Sequence, residues 1–176
     1  MKIGFCGTMS VGKTTLVNAL KELPEFKNYN FATERSKYLN SLGIPLNHET
    51  TIEGQTIFLA ERVTELMQES LITDRTIIDV MAFAKCSESM YPVEADDFCS
   101  FASHMLSEYD YIFYVSPEGV DIENNGVRET NAEYRKLIDQ NIQLLIIKYR
   151  HKIKNLIEIK GSTEERIKLV KQSISL

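Results

Sequence analysis

No run in this sequence approaches the roughly 20 apolar residues that a membrane-spanning helix needs. Stretches of biased composition and internal repeats, the marks of linkers and solenoids, are also missing. Positive charge is in short supply: 20 Lys and Arg stand against 25 Asp and Glu, a formal net charge of −5. A chain of that balance has no general attraction for phosphate backbones, which disfavours nucleic acid as the principal ligand. A basic groove on one face escapes such a count, so a polymer substrate is not excluded. Only three cysteines occur, Cys6, Cys86 and Cys99, with no CxxC or Cys/His spacing. They read as buried thiols in a reducing compartment, and none is a convincing nucleophile or metal ligand. The first residues hold no signal-peptide core, because only four apolar or small residues separate Lys2 from Gly7. The expectation is a cytoplasmic protein, with no membrane partner.

What is present suits one domain over residues 1–176, with apolar and charged fractions of 43% and 26% that are ordinary for a globular chain. Apolar patterning alternates between strand and helix, which implies a parallel sheet with helices on both faces. Strands are expected at 2–6, 29–33, 71–74, 111–115 and 155–159, the fourth being the most apolar and therefore central. Helices are expected at 13–22, 35–42, about 50–70, from 76, 94–107, from 130 and from 162. Four of them open on capping-box pairs: Thr50/Glu53, Thr76/Asp79, Thr130/Glu133 and Ser162/Glu165. The polar stretch 116–129 is long for a compact domain, and such loops are commonly lids or binding segments. With the start of the next helix it makes a lid segment at about 116–135.

Gly7-Thr8-Met9-Ser10-Val11-Gly12-Lys13-Thr14 matches GxxxxGK[ST] at every fixed position. Glycines at the two ends let successive N–H groups turn inward as an anion-binding nest, with Ser10 and Val11 contributing amides. The helix that begins at Lys13 aims the positive end of its dipole at the same point. Lys13 is expected to reach the β- and γ-phosphates, Thr14 to coordinate magnesium and Thr15 to contact the α-phosphate. An apolar strand before the loop and an amphipathic helix after it make a chance match a poor competitor.

Such a loop says only that a nucleoside triphosphate binds. Further chemistry comes from charged residues where strands end, since ligands lie outside the carboxyl ends of parallel strands. Asp74 ends the third strand and is placed to hold the metal, directly or through water; Arg75 beside it is placed to clamp phosphoryl oxygens. Glu34 follows the second strand and is a candidate base for an acceptor hydroxyl, with a helix-start Glu as the plainer reading. Arg35 is a plausible acceptor contact or a solvated helix position. Arg128 and Arg135 lie seven residues apart, close to two helical turns, so both guanidiniums are able to face one side and neutralise transferring charge. Gln55 offers an amide to a base edge, or is an ordinary polar helix position. The three histidines form no constellation.

Together the phosphate loop, the Thr73-Asp74-Arg75-Thr76 segment with Asp79, and Asn125-Gly126-Val127-Arg128 with Tyr134-Arg135 resemble the small P-loop kinases. The group they resemble is the one related to ribosylnicotinamide kinase, which includes bacterial and phage nucleoside and nucleotide kinases. The resemblance implies a P-loop NTPase fold, a three-layer α/β/α sandwich whose five-stranded parallel sheet has the order 2-3-1-4-5. It also implies ATP and Mg²⁺, lid arginines Arg128 and Arg135 facing the phosphates, and an acceptor site near Glu34, Gln55 and Asp74. The expected activity is γ-phosphoryl transfer to a small nucleoside-like acceptor, by a monomer or homodimer. Two alternatives stand beside it. One is a kinase acting on a nucleoside monophosphate or on a nucleotide within nucleic acid, with an added arginine from Arg35, Arg62 or Arg75. The other is a regulatory NTPase without an acceptor, against which the absence of an Asn/Thr-Lys-x-Asp motif after Val115 counts.

Overall fold

A computed structural model of the chain describes residues 1–33, 35–118 and 131–175. Five strands form one sheet: β1 (Lys2–Cys6), β2 (Asn30–Ala32), β3 (Leu71–Thr73), β4 (Tyr111–Val115) and β5 (Asn155–Ile159). Their order is β2-β3-β1-β4-β5 and every pairing is parallel, with Gly4 opposite Thr73 on one side and Ile112 on the other. The helices are α1 (Lys13–Lys21), α2 (Ser36–Ser41), α3 (Ile52–Glu65), α4 (Ile77–Lys85), α5 (Pro92–Ala102), α6 (Ala132–Lys148) and α7 (Thr163–Ser173). This is the expected three-layer P-loop architecture with the expected strand order.

Alternation along β1 and β4 feeds two cores, one on each face of the sheet. Ile3, Phe5, Phe113 and Val115 pack with Leu16, Val17 and Val170 of α1 and α7, and the Phe5 and Phe113 rings stack at 5.3 Å. Cys6, Ile112 and Tyr114 face the larger cluster under α3, α4, α5 and α6. All three cysteines are free and buried, and burial pushes the Cys86 and Cys99 thiols up to about 12. Among the described residues no helix is long and apolar enough to cross a membrane.

Several boundaries differ from expectation for local reasons. Thr51, not Thr50, caps α3 by accepting from the Gly54 amide at 3.2 Å, while the buried Thr50 hydroxyl accepts from Gln55 Nε2 at 2.7 Å. That helix stops at Glu65 and not near residue 70, because the turn bonds Met67 N to Thr64 O and Gln68 N to Glu65 O swing the chain into β3. α5 begins at Pro92, two residues before the expected start, as suits a residue without an N–H in a first helical turn. Asn131 caps α6 through its Oδ1, which accepts from Glu133 N at 2.8 Å and Tyr134 N at 3.2 Å. Thr130, the expected cap, lies outside the described residues. Thr76 and Ser162 cap α4 and α7 in full capping boxes, as their pairing with Asp79 and Glu165 predicts.

Candidate active site

The phosphate loop runs from the end of β1 to the first turn of α1, at the edge where β1, β3 and β4 all end. Gly7 (φ 151°) and Gly12 (φ 83°) adopt backbone angles that side chains rarely tolerate, and Ser10 (φ 57°) is left-handed as well. At Gly7 the constraint is also steric: a Cβ would stand 2.6 Å from the Val115 carbonyl oxygen. Gly12 serves as the N-cap of α1, whose first turn carries no acidic residue of its own. Val11 is buried and Thr15 is exposed on the outer side of that first turn. Lys13 curls back over the loop, donating from Nζ to the carbonyls of Gly7 and of Thr8, the latter at 2.8 Å.

Two carboxylates meet the loop from the β3–α4 connection. Asp74, 1% exposed, accepts from the Thr14 hydroxyl at 2.6 Å, so the two expected metal ligands are adjacent across 60 positions of sequence. Asp79 does what its capping pattern did not announce. Its Oδ2 accepts from Thr76 N at 2.7 Å and from the Thr76 hydroxyl at 2.8 Å, while its Oδ1 accepts from the Gly7 amide at 3.1 Å. The Gly7 N–H therefore points at α4 and not into the nest. Asp79 Oδ1 also lies 3.8 Å from Lys13 Nζ. Burial lowers the Lys13 pKa, an effect Asp79 and Asp74 counter and Arg75 reinforces.

Arginines surround this centre on three sides. Arg75 is half-buried with its guanidinium 5.0 Å over the Phe83 ring. Arg135, in the first turns of α6, donates from Nε to Met9 O at 3.2 Å, and its own carbonyl accepts from the Thr8 hydroxyl at 2.9 Å. Arg166 of α7 approaches from the opposite face of the sheet and donates from Nη1 to Val11 O at 2.6 Å. Sequence reasoning missed Arg166, although one signal was present: it sits four residues before Val170 on the buried stripe of α7.

Other expected site residues stand apart from the loop. Gln55 is buried, with its amide nitrogen on Thr50, and Arg35 reaches Glu61 at 3.4 Å while its guanidinium covers the Tyr38 ring at 4.6 Å. Neither makes a hydrogen bond or ion pair with the phosphate loop. Glu34 and Arg128 lie outside the described residues, as does most of the expected lid, residues 119–130. Beside β3 lies a buried ionic cluster: Arg62, 2% exposed, contacts Glu65 at 2.5 Å and Glu61 at 3.8 Å. Glu65 Oε2 in turn accepts from the Thr73 hydroxyl at 3.3 Å. Burial, partly offset by Arg62, pushes the Glu65 carboxyl up to about 7.

A glycine-bounded nest between β1 and α1, with its lysine, its hydroxyl and a strand-end carboxylate in contact, defines a P-loop nucleotide-binding protein. The chain belongs to the family described as the AAA domain, whose model matches residues 2–166. No curated protein matches in sequence. Solved structures with this fold include deoxyadenosine kinase from M. mycoides with bound dATP, at 17% identity, a TM-score of 0.69 and complete coverage of both chains. The same enzyme with products dCMP and a flexible dCDP gives 18% identity and a TM-score of 0.68, over 99% of this chain and 98% of that one. NadR in complex with NAD and AMP-PNP gives 14% identity and a TM-score of 0.73, over 99% of this chain but 49% of that one. The likeness to nucleoside kinases read from the motifs thus holds at the level of the fold.

Proposed function

We propose that the chain is an ATP- and Mg²⁺-dependent kinase that transfers the γ-phosphoryl group to a small nucleoside-like acceptor, ribosylnicotinamide or another nucleoside. The observation that carries this reading is the 2.6 Å contact between Thr14 and the buried Asp74. It joins the phosphate loop to a second charged strand end. Arg75 beside it and Arg135 on the loop add cations at the same edge.

In this reading the nest amides, including those of Ser10, Val11 and Gly12, hold the β-phosphate, Thr15 contacts the α-phosphate, and Lys13 leaves its two carbonyls for β- and γ-oxygens. The Thr14 hydroxyl and the Asp74 carboxylate are hard oxygen donors that suit Mg²⁺. No three His, Cys, Asp or Glu side chains converge among the described residues, so such an ion would take its remaining ligands from water and phosphate. Held there by Thr14 and Asp74, Mg²⁺ would supply positive charge against the charge of the phosphates. Glu34 or Asp74 takes the proton of the acceptor hydroxyl as its oxygen bonds to the γ-phosphorus. The bond to the β-phosphate oxygen breaks and ADP leaves. Arg75, Arg135 and, on sequence grounds alone, Arg128 stabilise the charge that moves. Arg35 and Gln55 orient the acceptor. The half-exposed Arg35 also supports a second reading, an acceptor that already carries one phosphate.

ATP consumption measured across a panel of ribosides, deoxyribosides and their monophosphates tests both readings. A large stimulation by one acceptor, abolished in Lys13→Ala, is the expected result. Background turnover with every acceptor would sink the proposal and leave acceptor-independent hydrolysis, a regulatory NTPase, in its place.

A further inference from the structure

We infer that Arg166 of α7 is a positioning residue of the ATP site, acting from behind the phosphate loop through the Val11 carbonyl. This rests on the donor-site reading above, and on four features of the residue that a plain helix anchor does not need.

Arg166 is 5% exposed, yet among the described residues it has no acidic partner. Its Nη1 donates to Val11 O at 2.6 Å, and its buried Nε has no hydrogen-bond partner among the described residues. A buried guanidinium in that state costs stability, because the charge has left water without a counter-charge. The nearest place for a compensating anion is the far side of the loop it touches, where the nest and the α1 N-terminus already favour negative charge. The fourth feature is steric. A Cβ at Gly12 would come 3.2 Å from Arg166 Nη1, a tight contact that the bare glycine spares the guanidinium.

The geometric consequence concerns the peptide between Val11 and Gly12. A peptide group is planar, with its C=O and N–H on opposite sides. Holding the Val11 oxygen toward α7 therefore aims the Gly12 N–H the other way. Asp79 grips the loop at Gly7 from the α4 side, and Arg166 grips it at Val11 from the α7 side. Between them they fix both ends of the segment that must receive a phosphate, with the charge of Arg166 adding long-range attraction.

The test is Arg166→Met, which keeps much of the bulk and loses the charge and donors, with Arg166→Lys as a conservative partner that keeps the charge. Two readings are taken: the rise in Tm produced by ATP and Mg²⁺ without any acceptor, and the KM for ATP against that for the acceptor. Arg166→Met is expected to raise the ATP KM about tenfold, a loss of roughly 1.4 kcal/mol. It should leave the acceptor KM unchanged and shrink the ATP-induced Tm rise, without lowering the Tm of the protein alone. Arg166→Lys should recover part of the ATP response. Wild-type ATP responses in both variants, with a lowered Tm in Arg166→Met, would show that Arg166 only anchors the helix. Should the wild type bind ATP yet phosphorylate no acceptor, the kinase reading fails, while the ATP-induced Tm rise still decides the role of Arg166.

Discussion

Asp79 and Gly7 meet across 72 residues of sequence: a side chain in the first turn of α4 accepts the amide proton of the first glycine of the phosphate loop. The same carboxylate closes the cap of α4 and lies beside Lys13. Asp79→Ala removes all of this at once. It leaves the Gly7 and Thr76 N–H groups buried without acceptors, at roughly 1–3 kcal/mol for each such group. Chemical denaturation should show a loss of at least about 2 kcal/mol, and ATP affinity should fall with it. A variant as stable as the wild type would mean that the loop does not depend on α4.

The Thr14–Asp74 contact gives a different signature. Asp74→Asn keeps the shape and a hydrogen-bond acceptor but removes the charge. Turnover is expected to fall about 10–100-fold or more, with apparent Mg²⁺ affinity reduced and the Tm little changed. A Mg²⁺ titration of both proteins checks this. An unaltered midpoint would take Asp74 out of the metal site.

Glu65 predicts a pH dependence. Its carboxyl is raised from 4.5 to about 7 in the folded chain, so between those values the native state binds more protons than the unfolded state. The stability this group contributes is complete below about 4.5 and is lost as pH rises through about 7. Glu65→Gln, which stays neutral, should flatten that part of the profile. Comparing the Tm of both proteins between about pH 5 and 8 reads the difference, and parallel profiles would count against the burial of this charge.

The thiols should be inert in the native state. Cys86 and Cys99 are held at about 12 by burial, and Cys6 is pushed well up for the same reason, with Asp79 adding to it. A thiol reagent at neutral pH should find no fast-reacting group until denaturant exposes all three cysteines. A rapid native reaction would contradict the packing of α4, α5 and β1.

How far the sequence foretold the molecule depended on the range of the interactions involved. β1, β4 and β5 were legible to the residue, because apolar alternation and flanking polar residues are local signals. The loop was legible because its glycines answer a backbone requirement within eight positions. The cap of α3 was misplaced by one residue, where two adjacent threonines could each serve and packing decided: Thr50 was claimed by Gln55, so Thr51 capped. Asp79 was read only as a local cap and Arg166 not at all, because their partners, Gly7 and Val11, lie 72 and 155 residues away. Arg35 and Gln55, chosen from position in the chain as acceptor contacts, are engaged with Glu61 and the Tyr38 ring and with Thr50.

The stitching of α6 to the loop has a mechanical corollary. Arg135 is tied to Thr8 and Met9 by one main-chain and one side-chain bond, so the first turns of this helix are fastened to those loop residues. Seventeen residues make α6 a rod of about 25 Å. Its far end presents exposed Leu144 and Ile147 to the surroundings. One continuous element thus joins that exposed apolar end to the residues around the phosphate loop.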